Sequence, residues 1–234
     1  MIKIKKNTFI AIVLARKGSK SIKNKNLFKV NRKPLIQYTF EEAVKSKLLS
    51  SVILSTDDNK IINLSKKFNI MNFGLRPKNL SSDKAKSIDA IIHTLSKIKD
   101  NLPEFIVLLQ PTSPLRKSYH IDVAIKKMIK LKKNYDSLVS LEKIEEPHPY
   151  KMKFINNGKV VPFIKDTSSE IARQLLPAAY KLNGAIYISK TKILLSKKTL
   201  LYRAAPYVMN CDELVNIDTM SDIELFKQKL KKNG

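Results

Sequence analysis

The stretch Ala15-Arg16-Lys17-Gly18-Ser19-Lys20, followed by Lys25-Asn26, gathers four basic side chains around a glycine and a serine. Such a loop can surround a triphosphate with backbone N–H groups and cations. It is not a Walker loop, because the glycine spacing and the Gly-Lys-Ser order are both missing. A lysine-rich surface loop uses the same residues, and this loop alone does not separate the two readings.

Other stretches add chemistry at the ends of apolar runs. Ser55-Thr56-Asp57-Asp58 offers two carboxylates, and it also suits a helix cap. Gln110-Pro111-Thr112-Ser113-Pro114-Leu115-Arg116 is stiffened by two prolines, with Gln110 and Arg116 at its ends. Rigid loops of this kind shape substrate pockets. Arg76-Pro77 precedes an expected helix. Asn216-Ile217-Asp218-Thr219 puts a carboxylate where it can hold a divalent ion opposite the basic loop. His93, His120 and His148 do not form a metal set. Cys211, the single cysteine, excludes both an intramolecular disulfide and a thiolate zinc site.

These loops need elements to position them. Apolar runs at 8–14, 51–56, 105–109 and 136–141 read as strands, and 34–47, 58–69, 85–98 and 119–132 as helices. Pro34 suits a first helical position, and Ser82 or Asp83 suits the cap of the helix at 85–98. The alternation predicts right-handed βαβ units and an α/β fold, a Rossmann-like three-layer sandwich with a mainly parallel sheet. In such sheets ligands sit beyond the carboxyl ends of the strands. The rhythm breaks at 144–182, where Asn156-Asn157-Gly158 between alternating segments signals a hairpin. It resumes with strands at 184–189, 206–209 and 214–218 and a helix at 219–231.

Composition narrows the class. The 234 residues and 43% apolar content allow one domain with a sizeable core. The apolar run Phe9 to Ala15 is too short to span a membrane, and basic residues follow it instead of a cleavage site. A reducing, cytoplasmic setting is expected, with no membrane partner. The net charge of +25 raises the possibility of a polyanionic partner such as nucleic acid. The lysines, however, are spread along the whole chain, few aromatics interleave them, and no specific nucleic acid is expected.

Taken in order, Ala-Arg-x-Gly-Ser-Lys, Lys-Asn, Ser-Thr-Asp, Arg-Pro, Leu-Gln-Pro-Thr-Ser-Pro-Leu-Arg, Arg-Gln-x-x-Pro, Asn-Gly-Ala-Ile-Tyr and Ile-Asp-Thr resemble the acylneuraminate cytidylyltransferases, from about residue 9 to about 226. The resemblance implies a fold of the nucleotide-diphospho-sugar transferase type. It implies a single nucleotidyltransferase domain over 1–234, with a protruding arm at about 144–182 that pairs two subunits as a homodimer. Arg16, Ser19, Lys20 and Lys25 match residues gripping the CTP phosphates, and Asn26 one near the nucleotide. Arg76 and Ser87 match residues that recognise the cytosine and its surroundings. Gln110 and Arg173 match residues that hold an acidic sugar, and Tyr187 an aromatic beside it. Asp218 matches a magnesium ligand. The family usually has aspartate where this chain has Asn216, so Asn216 can offer only a neutral carbonyl to Mg2+. The glycine common after Gly-Ser-Lys is Ser21 here.

The implied reaction is direct displacement. The anomeric hydroxyl of a nine-carbon acidic sugar, of the sialic or legionaminic type, attacks the α-phosphorus of CTP and pyrophosphate leaves. Arg16, Lys20 and Lys25 would meet leaving-group charge, and the general base stays unassigned. Arg173 suits a sugar carboxylate through a bidentate fork. The alternatives are the same reaction on pseudaminic or Kdo-type acids, a basic nucleic-acid-binding module without turnover, and a nucleotide-binding relative without catalysis.

Overall fold

The computed structural model describes residues 4–232 apart from 20, 99–100, 166, 168–169 and 211–212. Lys20 and Cys211 therefore lie outside the described residues. The first half of the chain runs β1 (Ile4–Ala15), β2 (Lys29–Val30), β3 (Lys33–Pro34), α1 (Leu35–Lys45), β4 (Ser51–Thr56), α2 (Asn59–Lys66), β5 (Met71–Leu75), α3 (Ser87–Ser96) and β6 (Leu102–Leu108). The second half runs α4 (Ser118–Leu131), β7 (Ser137–Ile144), β8 (Lys153–Asn156), β9 (Lys159–Pro162), β10 (Ala179–Lys190), α5 (Thr191–Lys197), β11 (Ala204–Val208) and α6 (Met220–Lys232).

Seven strands form the central sheet in the order β11-β7-β10-β6-β1-β4-β5. β1 pairs parallel with β4 and β6, β4 with β5, and β7 with β11. β10 alone runs antiparallel, between β6 and β7. The mainly parallel sandwich expected from the alternation is thus the observed architecture.

β1 shows why the layers form. Its residues Phe9, Ala11, Val13 and Ala15 join one core with Ile36 and Phe40 of α1 and Ile125 and Met128 of α4. Ile12 and Leu14, pointing the other way, pack with Ile91 and Leu95 of α3 and Leu194 of α5. A strand buried on both faces needs an unbroken apolar run, as its sequence has. Full burial of the larger side chains Phe9, Ile12 and Val13 contributes about 1.5–3 kcal/mol each. Phe9 stacks on its strand partner Phe105 with ring centroids 4.5 Å apart.

Three expectations change. Residues 214–218 are not a strand. Val215 and Ile217 are instead buried with Ile223 and Phe226 of α6, and the Ile217 N–H donates to Thr112 O at 2.8 Å. The alternating pattern is real, but side chains hold it, not a ladder. α3 begins at Ser87 after Lys86, which makes no side-chain cap bond, so neither Ser82 nor Asp83 is its cap. β5 and α5 were not expected: β5 is an exposed edge strand broken by Gly74 at φ 85°, and α5 spans only seven residues.

The segment between β7 and β10 carries the expected hairpin, with β8 and β9 paired antiparallel around Asn157 and Gly158, both at positive φ. It forms a two-stranded sheet of its own. Ile155, Val160 and Leu175 in this segment are 82%, 70% and 76% exposed.

Candidate functional site

A cleft of about 380 Å³ opens past the carboxyl ends of β1 and β6. Nine of the residues singled out in the sequence line it: Arg16, Ser19, Lys25, Asn26, Arg76, Ser87, Gln110, Asn216 and Asp218. They come from six separate stretches, and the parallel sheet brings them to one edge.

The basic loop follows β1. Asn26 Nδ2 donates to Arg16 O at 2.9 Å, which folds the loop back on itself. The Lys17 N–H donates to Asp57 Oδ1 at 2.8 Å, so Asp57 supports this loop from the end of β4. Asp58 is the cap of α2, accepting from the Lys60 N–H at 2.8 Å. Asn24 stands in the left-handed region at φ 54°, which asparagine tolerates, and it turns the chain so that Lys25 faces the cleft. Lys25 Nζ then donates to Ile217 O and Asp218 Oδ1, both at 2.9 Å. Arg16 forms an ion pair with Asp83 across the mouth of the cleft.

Arg76 is almost fully buried. Its Nε donates to Ser81 Oγ at 3.0 Å and its Nη1 to Ser55 O at 3.3 Å. Burial pushes its guanidinium below the ordinary arginine value; Asp57 opposes that shift and Arg16 adds to it. Ser87 opens α3 and lines the cleft.

Gln110 sits where β6 ends. Its carbonyl accepts from Arg116 Nη1 at 3.1 Å. Arg116 is fully buried and also donates to Ala185 O and Thr39 Oγ1, both at 2.9 Å. Burial holds its guanidinium at about 9, with Glu42 pulling the other way. Beneath Gln110 passes Gly184, at φ 74° in a register shift of β10 against β7. A Cβ there would meet Gln110 Oε1 at 2.8 Å, so the Gln110 side chain would have to shift, and the positive φ strains any residue but glycine.

Two predicted sugar residues are elsewhere. Arg173 is exposed on the segment between β9 and β10, paired with Glu145 at 3.1 Å and Glu146 at 3.9 Å. It lines a second cleft of about 460 Å³ with Lys143, His148 and Pro177. Tyr187 lies in β10 opposite Leu108 and packs in the core beside Ile12, where burial raises its hydroxyl pKa. Neither lines the first cleft: Arg173 lies in the second, while Tyr187 pairs with Leu108, which does line the first.

Asp83 and Lys86 line the cleft without having been singled out as binding residues. The signal for Asp83 was its place between Arg76 and Ser87, but its carboxylate read there as a helix cap. His120, nearly buried at the start of α4, is bonded through Nε2 to Glu213 Oε2 at 2.9 Å. Tyr119 donates to the same oxygen at 2.8 Å.

For a metal, the cleft offers the Asp218 carboxylate with the Asn216 amide beside it. Among the described residues no group of three or more His, Cys, Asp or Glu side chains could hold an ion. One carboxylate suits a Mg2+ ion that draws its remaining ligands from phosphate and water.

Residues 10–229 match the family described as cytidylyltransferase. The chain is 35% identical over 217 residues to an N-acylneuraminate cytidylyltransferase of Escherichia coli O18:K1:H7, covering 92% of this chain and 50% of that protein. It is 30% identical over 228 residues to a CMP-N,N'-diacetyllegionaminic acid synthase of Legionella pneumophila, covering 96% and 97%. It thus spans about half the length of the first of these relatives and nearly all of the second. A solved structure of CMP:2-keto-3-deoxy-manno-octonic acid synthetase complexed with CTP has a TM-score of 0.74 at 16% identity, covering 97% of this chain and 100% of that one. That likeness fixes the fold as the nucleotide-diphospho-sugar transferase type. The sequence match and the shared fold agree: the chain belongs to the cytidylyltransferase family.

Proposed function

We propose that this chain transfers CMP from CTP to the anomeric hydroxyl of a nine-carbon acidic sugar of the sialic or legionaminic type, releasing pyrophosphate. The observation that supports this most is the cleft itself, where cations from the β1 loop face a carboxylate, a buried arginine and Gln110.

The work is alignment and charge neutralisation. CTP lies with its phosphates along the β1 loop, where Arg16, Ser19 and Lys25, together with Lys20, take the triphosphate, and Asn26 keeps the loop closed. Arg76 and Ser87 face the cytosine end. Gln110 holds the acceptor sugar. As the sugar oxygen bonds to the α-phosphorus, the bond from that phosphorus to the bridging oxygen breaks, and negative charge grows on the leaving pyrophosphate. Arg16, Lys20 and Lys25 meet that charge. A Mg2+ ion, held by Asp218 and phosphate oxygens, would supply further neutralisation when bound.

The segment at about 144–182 is read as an inserted arm of one nucleotidyltransferase domain that pairs two copies of the chain as a homodimer. Its exposed apolar side chains support this, because monomers rarely show such a patch. Arg173 then serves the sugar carboxylate only if the arm carries it to the cleft of the second copy. Among the described residues no helix is long and apolar enough to cross a membrane. The single cysteine supports a cytoplasmic setting.

The test is pyrophosphate release from CTP and Mg2+ with N-acetylneuraminic and legionaminic acids. Pseudaminic and Kdo-type acids serve as the alternative acceptors.

A further inference from the structure

Asp218 is engaged on both of its oxygens. Lys25 Nζ donates to Oδ1 at 2.9 Å, and Asn216 Nδ2 donates to Oδ2 at 2.7 Å. The other end of the Asn216 amide faces a different neighbour. Its Oδ1 is 3.4 Å from the point where a Cβ on Gly184 would sit, and Gln110 Oε1 is 2.8 Å from the same point. The amide therefore bridges the carboxylate and the floor beneath Gln110, nitrogen on one side and oxygen on the other.

Asparagine binds a metal only through its oxygen. For Asn216 to share an ion with Asp218, the amide must turn over. That would remove the hydrogen bond and set two oxygens against each other at the 2.7 Å now spanned by Nδ2 and Oδ2. What remains for an ion is one carboxylate, shared with an ammonium. Such a site is weak by itself, because Mg2+ bound through one carboxylate takes its other ligands from substrate phosphates.

We propose that Asn216 is a positioning residue that orients Asp218 and is not a metal ligand, so that a divalent ion enters this cleft with the nucleotide and not before it. The proposal rests on the reading of the cleft as a CTP site. A triphosphate offers Lys25 a second anionic partner and so releases Asp218 Oδ1. It also supplies the oxygens that complete the ion's shell. Metal and nucleotide then strengthen each other's binding, and by linkage the effect is equal in both directions.

The test uses Mn2+ alone as the probe and the full chain without nucleotide. Binding is read from the loss of the free-ion electron paramagnetic resonance signal in the wild type, Asn216→Asp and Asn216→Ala, with circular dichroism as a check on folding. Asn216→Asp restores a second carboxylate and should bind Mn2+ about tenfold or more tightly than wild type, a difference of about 1.4 kcal/mol. Asn216→Ala should bind no less tightly than wild type. Calorimetry of a non-hydrolysable CTP analogue, with and without Mg2+, should show the wild type binding it about tenfold or more tightly with the ion. Equal Mn2+ affinity in the wild type and Asn216→Asp would overturn the proposal. So would a tenfold loss in Asn216→Ala, or analogue binding indifferent to Mg2+. An analogue that does not bind at all overturns the CTP reading instead, whatever the Mn2+ titrations give, so the two failures are distinguishable.

Discussion

Arg116 Nη1 donates to the carbonyl of Gln110 at 3.1 Å, from a guanidinium with no solvent exposure. The loop between them carries two prolines, and the buried fork ties its ends to β10 and α1 as well. Removing it leaves the acceptors on Gln110, Ala185 and Thr39 short of a donor. Arg116→Met should lower stability by about 3 kcal/mol or more in urea titration, on the scale of several buried groups left unsatisfied. In the folded fraction the sugar KM should rise more than the CTP KM, because Gln110 is what the loop presents. Equal stability would mean that the carbonyls find other donors.

Lys25 stands between Asp218 and the proposed phosphate site. Lys25→Ala should cut kcat about a hundredfold or more, on the scale of one lost preorganised donor. Steady-state pyrophosphate release reads this directly. Near-normal turnover would make Lys25 a structural partner of Asp218 only.

Arg16 is paired with Asp83 across the cleft mouth, and a triphosphate must compete for it. Asp83→Asn removes the competitor. Both partners are partly exposed, so the gain is bounded by a surface ion pair, and CTP affinity should rise by up to about fivefold. Calorimetry that shows weaker binding would mean that Asp83 helps to build the site.

The arm presents Ile155 and Leu175 to solvent. Ile155→Asp together with Leu175→Asp should give a monomer in light scattering and should abolish most turnover if Arg173 acts in the second copy's cleft. Arg173→Ala should raise the sugar KM and leave the CTP KM unchanged. A variant that is monomeric and fully active would refute the action of Arg173 in the second copy's cleft, and an unchanged sugar KM in Arg173→Ala would refute its role toward the sugar.

His120 titrates below the ordinary histidine value of 6.5, chiefly because it is buried; Arg116 and Lys117 add to the shift, and Glu213 opposes it. Tyr119, pushed up to about 12 by burial and Glu213, stays neutral beside it. Glu213 is held below its ordinary value, first by its hydrogen bond with His120 and then by that with Tyr119. The unfolded chain thus takes up the histidine proton at a higher pH than the folded chain. Stability is highest above 6.5 and falls as pH drops through the folded value. Urea midpoints measured from about pH 7.5 to about pH 5.5 should decline, and His120→Phe should flatten the decline. A midpoint that holds steady in the wild type contradicts this.

Much of this was legible in the sequence. The strands β1, β4 and β6 each carry a short apolar run (Phe9 to Ala15, Val52 to Leu54 and Phe105 to Leu108), so their place in a parallel sheet and the loops at their ends could be read directly. Residues 214–218 alternate as a strand does, yet nothing local says that α6 side chains, and not a ladder, would hold them. β5 escaped because Met71, Phe73 and Leu75 are exposed and Gly74 interrupts the pattern. The separation of Arg173 from Gln110 was also invisible, since a hairpin motif does not say toward which cleft its arm extends. The pairing of Arg16 with Asp83 needs two loops 67 residues apart to meet, which only the fold decides.

The central claim is tested most directly by pyrophosphate release from CTP and Mg2+ across N-acetylneuraminic, legionaminic, pseudaminic and Kdo-type acids. The account predicts release with a sialic or legionaminic acid, and at least a hundredfold less with Lys25→Ala. Release with none of the four, from a folded protein that binds CTP, would contradict it.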